Sequence, residues 1–130
     1  MEHASEPKQV IVFRRDLLAN GRVSNGKIAA QVAHAAMLWI VDRIHREMRM
    51  TSTETSWLFS SMTKIVVECE DLTEMRALAQ RALLLSLPTF IVTDEGRTAF
   101  DGVPTQTALA IGPGACADVD AVTGNLKTLR

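Results

Sequence analysis

What the sequence lacks excludes several classes of protein. Its two cysteines, Cys69 and Cys116, have neither the spacing of a zinc site nor that of a redox pair, so buried free thiols in a reducing compartment are the simpler interpretation. The three histidines have no ligand spacing and no carboxylate companions, and we expect neither a metal nor a cofactor. A glycine-rich phosphate loop, a dinucleotide fingerprint and a nucleophile elbow are also missing from the sequence.

Long apolar segments and an excess of one charge are missing too. No uninterrupted apolar run is long enough to cross a membrane, and the first seven residues have no signal-peptide character, so we expect a cytoplasmic protein. The formal net charge is −1, which means that binding to nucleic acid would need a local basic patch. With 130 residues, of which 47% are hydrophobic, the sequence predicts one domain over residues 8–130 behind a flexible leader, residues 1–7.

Strands and helices alternate along the sequence. Apolar, β-branched runs predict strands at residues 9–13, 64–69, 89–93 and 107–111, the last of them closed by Gly112-Pro113-Gly114. Helical spacing and capping patterns predict helices over about 26–48, after Thr51, from Asp71 to a stop at Pro88, and over about 115–122. This order is typical of an α/β sandwich with a mixed sheet.

The start of the long helix is unusual. Ser24 or Asn25 can cap it, and Lys27, Gln31 and His34 then share one face of the helix, beside a stripe of apolar residues that we expect to be buried. A lysine in the first turn opposes the helix dipole and is a poor choice for stability. Such a conflict with a local rule marks a place to look for function.

Two polar loops, residues 14–27 and 94–107, follow predicted strands. If the first and fourth strands are neighbours, these loops converge at one edge of the sheet and bring Lys27 close to Asp94, Arg97, Thr98, Thr105 and Thr107. A lysine, a carboxylate and hydroxyls suffice for metal-free hydrolysis of an activated ester, in which the lysine stabilises an oxyanion or binds a phosphate and the other groups orient or deprotonate water. Each residue also has an ordinary structural explanation, so composition and spacing alone leave the function open.

Four segments carry a family resemblance. Residues 26–35 read Gly-Lys-Ile-Ala-Ala-Gln-Val-Ala-His-Ala, and the three later segments are Asp-Glu-Gly-Arg-Thr from Asp94, Thr-Ala-Leu-Ala-Ile-Gly-Pro from Thr107, and Asp-Val-Asp-Ala-Val-Thr-Gly-Asn-Leu-Lys from Asp118. In this order and spacing they resemble the archaeal and eukaryotic, or second, type of peptidyl-tRNA hydrolase over about residues 8–129. The resemblance implies a three-layer α/β sandwich, with a four-stranded mixed sheet and helices on both faces.

The resemblance also implies an activity and a set of site residues. The activity is metal-independent hydrolysis of the ester between a peptide, or an N-blocked amino acid, and the 3′ end of tRNA. The family's active-site residues correspond to Lys27, Asp94, Thr98 and Thr107, and the further residues expected to bind substrate are Gly26, Gln31, His34, Arg97 and Arg14. Peptidyl-tRNA is then the partner, a membrane is not, and a homodimer is plausible because the family is often dimeric.

Two departures from the family pattern leave alternatives open. Asn25 stands where the family has a lysine, and Glu95 stands where it usually has alanine. One alternative is a relative that has lost hydrolysis and binds RNA or a protein. Another, suggested by the near-neutral net charge, is a hydrolase of a different small ester or amide.

Overall fold

The computed structural model describes residues 6–19, 21, 23–96, 100 and 102–130. The elements in chain order are β1 (Pro7–Arg14), a short 3₁₀ helix (Arg15–Leu18), α1 (Asn25–His45), α2 (Ser52–Leu58), β2 (Lys64–Cys69), α3 (Leu72–Leu84), β3 (Thr89–Asp94), β4 (Thr105–Ala115) and α4 (Cys116–Thr123). Each predicted strand and helix is therefore present. Residues 1–5 of the predicted leader lie outside the described residues.

The four strands form one mixed sheet in the order β2-β1-β4-β3. β1 is parallel to β2, and β4 is antiparallel to both β1 and β3. The carboxyl ends of β1, β2 and β3 therefore lie at the same edge of the sheet as the start of β4. The first and fourth strands are neighbours, which is the condition under which the two polar loops converge.

Helices cover both faces of the sheet, which confirms the predicted three-layer α/β sandwich. On one face, α1 packs Ala35 over a layer that includes Ile11 and Phe13 of β1, and its buried Trp39 lies edge-on against Trp57 of α2. The other face is covered by α3 and α4, whose buried apolar residues are Met75, Leu78, Ala79, Ala82, Val119 and Val122. In the predicted stripe of α1, Ile28 and Val32 are half-buried, and both line an open pocket together with Val66 of the edge strand β2.

Side chains cap the first turns of α1, α2 and α3 close to where the sequence predicts. The Ser24 hydroxyl accepts from the N–H of Lys27, and Thr51 and Glu54 form a complete capping box. At the start of α3, the Asp71 carboxylate accepts from the N–H of Glu74. The Glu74 carboxylate accepts from the N–H of Glu70, one residue before Asp71, so a complete capping box does not form there.

Several predicted boundaries differ from the structure by a few residues, and two of these differences have a clear physical reason. α1 ends at His45 because Glu47 has a positive φ of 54°, which stops the helix before residue 48. β4 does not close at Gly112 but continues to Ala115, where it still pairs with β1. Gly112 allows this continuation because it has a φ of 95°, and a side chain there would approach the carbonyl oxygen of Lys8 to 2.7 Å.

Neither cysteine is in a disulfide. Cys69 is buried at the end of β2, and burial raises the pKa of its thiol to about 12, so the thiol is protonated and unreactive at neutral pH. Cys116 is only half-buried, which differs from the expectation of two buried thiols. Over the part of the chain that the structure describes, no helix has both the length and the apolar character needed to span a bilayer.

Candidate active site

An open pocket of about 370 Å³ lies at the edge of the sheet where the carboxyl ends of the parallel strands meet. One wall is the first three turns of α1, and the other is the end of β3. The described residues that line it are Lys27, Gln31, His34, Val92, Thr93, Asp94 and Glu95. The α1 residues are spaced by four and three positions, so the helix presents all three to the same pocket.

The first turn of α1 brings no negative charge of its own to the positive end of the helix. Ser24 satisfies the N–H of Lys27 at 3.1 Å, and the first turn contains no acidic residue. Gly26 is exposed, and a methyl group at this position would meet nothing nearer than the Ser24 hydroxyl, at 3.9 Å. The fold therefore does not require a glycine at position 26, but the absence of a side chain leaves room beside the pocket.

Lys27 and Asp94 form an ion pair across the pocket. The Lys27 Nζ lies 2.5 Å from Asp94 Oδ2, and the two side chains are 22% and 7% exposed. The other carboxylate oxygen, Oδ1, accepts from the N–H of Gly96 at 2.7 Å. Asp94 lies on the opposite wall of the pocket and supplies the negative charge that the first turn of α1 lacks.

The hydrogen bond from Lys27 is the largest effect on the pKa of Asp94 and lowers it. Burial acts in the opposite direction, and the N–H of Gly96 adds to the lowering, so the net result is a pKa below the usual value for aspartate. Asp94 is consequently ionised at neutral pH. A carboxylate with a lowered pKa is a weak base, and this geometry favours a role in holding Lys27 over a role in deprotonating water.

A second polar pair lies deeper between α1 and β4. The Thr107 hydroxyl donates to Gln31 Oε1 at 2.6 Å. Thr107 is fully buried, whereas Gln31 is half-buried and reaches the pocket wall. The two residues therefore differ in what they can do: Gln31 is accessible to a ligand, and Thr107 is accessible only to Gln31 and the protein interior.

Comparison with known proteins identifies the family of the chain. The family model described as "Peptidyl-tRNA hydrolase PTH2" matches residues 7–129. The chain belongs to the peptidyl-tRNA hydrolase PTH2 family.

The relatives of this peptidyl-tRNA hydrolase family member include archaeal and animal proteins. Proteins named peptidyl-tRNA hydrolase from Saccharolobus solfataricus and Methanopyrus kandleri are each 39% identical to it over 123 residues, covering 94% and 95% of this chain and 98% of each relative. A Drosophila melanogaster protein named probable peptidyl-tRNA hydrolase 2 is 38% identical over 122 residues, covering 94% of this chain and 61% of its own. The resemblance seen in the sequence is confirmed.

The fold also recurs in a much more distant protein. A solved structure of a protein of unknown function from Agrobacterium tumefaciens has a TM-score of 0.57 and 14% sequence identity, with 96% of this chain and 98% of that chain covered. At this identity the likeness concerns the fold alone. It adds no argument about the site.

The structure places the family-derived site residues in different surroundings. Lys27, Gln31, His34 and Asp94 line the pocket, Gly26 lies beside it, and Thr107 supports it from beneath. Thr98 and Arg97 lie outside the described residues. Arg14 is only 12% exposed, and its guanidinium is bound to the Asp16 carboxylate at 2.7 and 3.0 Å and to the Gln106 carbonyl at 2.9 Å. It is not among the described residues that line the pocket.

Three pocket residues were not selected from the sequence as site residues. Val92 and Thr93 belong to the strand that ends at Asp94. Their position just before Asp94 is the only feature of the sequence that could have indicated them. Glu95 was noted as a departure from the family pattern, and the structure shows that its charge belongs to the pocket. Among the described residues, no group of three histidine, cysteine, aspartate or glutamate side chains is arranged to hold a metal ion.

Proposed function

We propose that the protein hydrolyses the ester between a peptide, or an N-blocked amino acid, and the 3′ end of tRNA, without a metal or another cofactor. Family membership supports the substrate and the reaction. The observation that carries the proposal is the ion pair between Lys27 and Asp94 in the pocket, because it joins two segments of the family pattern at a distance of 2.5 Å.

In the proposed reaction, the oxygen of a water molecule bonds to the ester carbonyl carbon, and the carbonyl oxygen becomes negatively charged. The Lys27 ammonium stabilises this charge, and Asp94 keeps the ammonium in place. The bond between the carbonyl carbon and the ribose oxygen then breaks, and the ribose oxygen takes up a proton that the water has lost. The products are tRNA with a free hydroxyl, a peptide with a free carboxylate, and the second proton of the water, which is released to solvent.

The start of α1 is suited to the nucleic-acid end of the substrate. A helix N-terminus attracts anions through its N–H groups and its dipole, and Gly26 leaves room for a phosphate to approach. His34, at the exposed rim of the pocket, is proposed to contact the substrate farther from the scissile bond. Arg14, whose guanidinium is already bound within the protein, is proposed to act through its charge at the sheet edge and not through direct contact.

The remaining roles rest on the family pattern. Thr98 is proposed to complete the hydrogen bonds around the reacting water, and Arg97 to bind the substrate. A homodimer and a cytoplasmic location belong to the proposal on the same basis.

The function is tested by measuring release of N-acetyl-aminoacyl groups from tRNA. We expect release by the wild type and a loss of about 10²- to 10³-fold in kcat in Lys27→Ala, the range for removal of one charge-stabilising donor. Lys64→Ala, which removes an exposed lysine at the start of β2, on the edge of the sheet opposite the pocket, is the matched control and should be as active as the wild type. Equal rates for Lys27→Ala and the wild type would refute the role of Lys27. Binding of tRNA with no release by the wild type would show that the protein is a binding relative.

A further inference from the structure

Thr107 occupies an irregularity in the sheet. Val92 of β3 pairs with Ala108 of β4, whereas Thr93 pairs with Gln106, so Thr107 is an extra residue in β4 with no partner on β3. This arrangement is a β-bulge. Bulges turn a side chain away from the direction that regular alternation would give it, and they are frequent beside active sites.

The direction of the Thr107 side chain depends on this bulge. In a regular strand Thr107 would share a face with Leu109 and Ile111, which pack in the core beneath α3 and α4. Instead its hydroxyl lies 2.6 Å from Gln31 of α1, the helix on the opposite face, where Ala108 and Ala110 belong to the core. The bulge therefore turns a fully buried hydroxyl towards a single pocket residue.

The hydrogen bond fixes which way the Gln31 amide points. A threonine hydroxyl has one proton to donate, and Gln31 Oε1 accepts it. An amide whose oxygen is held on the buried side presents its NH₂ group to the other side, and Gln31 lines the pocket. An N–H donor is therefore presented to the pocket one helical turn beyond Lys27.

We propose that Gln31 is a catalytic residue whose amide N–H donates to the carbonyl oxygen of the ester as that oxygen becomes negatively charged, and that Thr107 is a positioning residue acting through Gln31. The proposal rests on the hydrolysis proposed above and adds a second donor beside Lys27. It also assigns Thr107 no contact with the substrate or the reacting water, because that residue is fully buried.

Two substitutions of Gln31 separate its donor from its acceptor. Gln31→Met keeps the length of the side chain and removes both. Gln31→Glu keeps an oxygen for the Thr107 hydroxyl, and so keeps the buried bond, but has no N–H to donate. We expect each to lower kcat by about 10²- to 10³-fold, with a smaller change in KM because the donor acts mainly in the transition state. Gln80→Met, the same change on the exposed side of α3, should leave kcat unaltered.

Thr107 is tested through its dependence on Gln31. Thr107→Val keeps the shape but lets the amide turn, and we expect kcat to fall roughly tenfold or more, while Thr107→Ser keeps the hydroxyl and the activity. In Gln31→Met the second change Thr107→Val should cost nothing further in kcat, because the residue through which Thr107 acts is already absent. If Thr107 had a purely structural role, Thr107→Val would lower kcat in the Gln31→Met background as well.

The assays use N-acetyl-aminoacyl-tRNA and variants whose circular dichroism matches that of the wild type. An inactive wild type would refute the proposed function itself. With an active wild type, unchanged kcat in folded Gln31→Met or Gln31→Glu would refute the donor role of Gln31. Additive losses in the double variant would refute the positioning role of Thr107.

Discussion

Replacing Lys27 by methionine should destabilise the protein as well as inactivate it. The change leaves the Asp94 carboxylate, 7% exposed, with the N–H of Gly96 but without its ammonium partner. Loss of one partner costs about 3–5 kcal/mol in a fully buried ion pair and about 0–1 kcal/mol in an exposed pair. Because Lys27 is 22% exposed, we expect its loss to lower the free energy of unfolding by roughly 1–3 kcal/mol. About 0.3–1 kcal/mol of this is regained, because a cation is removed from a helix N-terminus.

The reverse substitution, Asp94→Asn, should cost less. The asparagine oxygen can still accept from Gly96, and Lys27 retains enough exposure to be hydrated. The double variant, with Lys27→Met and Asp94→Asn, contains no unpaired charge and should be more stable than the sum of the single changes predicts. We expect an interaction free energy of roughly 1–2 kcal/mol between the two sites, from urea denaturation of all four proteins at pH 7.

The pH dependence has a definite sign. Because Asp94 has a lowered pKa in the folded protein, its ionisation stabilises the wild type above the unfolded pKa of about 3.9, and this contribution is lost as the pH falls through the folded pKa. In Lys27→Met the largest cause of the lowering is absent, and burial favours the neutral acid. The stability difference between wild type and Lys27→Met should thus be large at pH 7 and shrink as the pH falls from the raised pKa of Asp94 in the variant to its lowered pKa in the wild type.

Two results would refute this reasoning. Equal stability of the wild type and Lys27→Met at pH 7 would mean that the pair contributes nothing to folding. A stability difference that is the same at pH 7 and at pH 3.5 would mean that the charge of Asp94 is not its cause. The double variant should regain stability but not activity, because it still lacks Lys27, and we expect it to be as inactive as Lys27→Met.

Two further substitutions test the surroundings of the pair. Gly26→Ala should leave the thermal midpoint unchanged or slightly raised, because alanine is the better helix former and meets no close neighbour. If a phosphate of the substrate approaches this position, kcat/KM should fall roughly tenfold. An unchanged kcat/KM would refute the close approach. Glu95→Gln should lower the KM for the polyanionic substrate roughly two- to fivefold at low salt, with no difference left at 1 M salt, and a salt-independent effect would argue against electrostatics.

The parts of the fold that depend on neighbouring residues could be predicted from the sequence. The caps at Ser24 and Thr51 act over three residues, and the apolar runs of β1 and β2 have no competing pattern. The stop predicted at Gly112 failed because a Gly-Pro-Gly segment normally marks a turn, whereas here pairing with β1 keeps the segment in the sheet. Pairing between distant strands is what a local pattern does not contain.

In the candidate site, too, features set by local sequence could be predicted and features set by strand pairing could not. Lys27 could be selected as unusual from its place in the helix, and Asp94 from its place after a strand. The direction of Thr107 could not be predicted, because regular alternation turns it away from α1 and only the register of β3 against β4 creates the bulge. Arg14 was chosen for its charge, but Asp16, two residues later in the 3₁₀ helix, binds its guanidinium.

The place of β4 in the sheet matters for a chain that is still attached to the ribosome. In the described part of the sheet β3 pairs with β4 and not with β1, so Asp94 is aligned beside Lys27 only after β4 has been inserted between those strands. An unfinished chain that ends before β4 therefore has both residues but no assembled site. Such a chain is itself a peptidyl-tRNA. On the proposed function, such a chain, once it leaves the ribosome with its tRNA, is a substrate for a finished copy of this protein and has no hydrolase activity of its own.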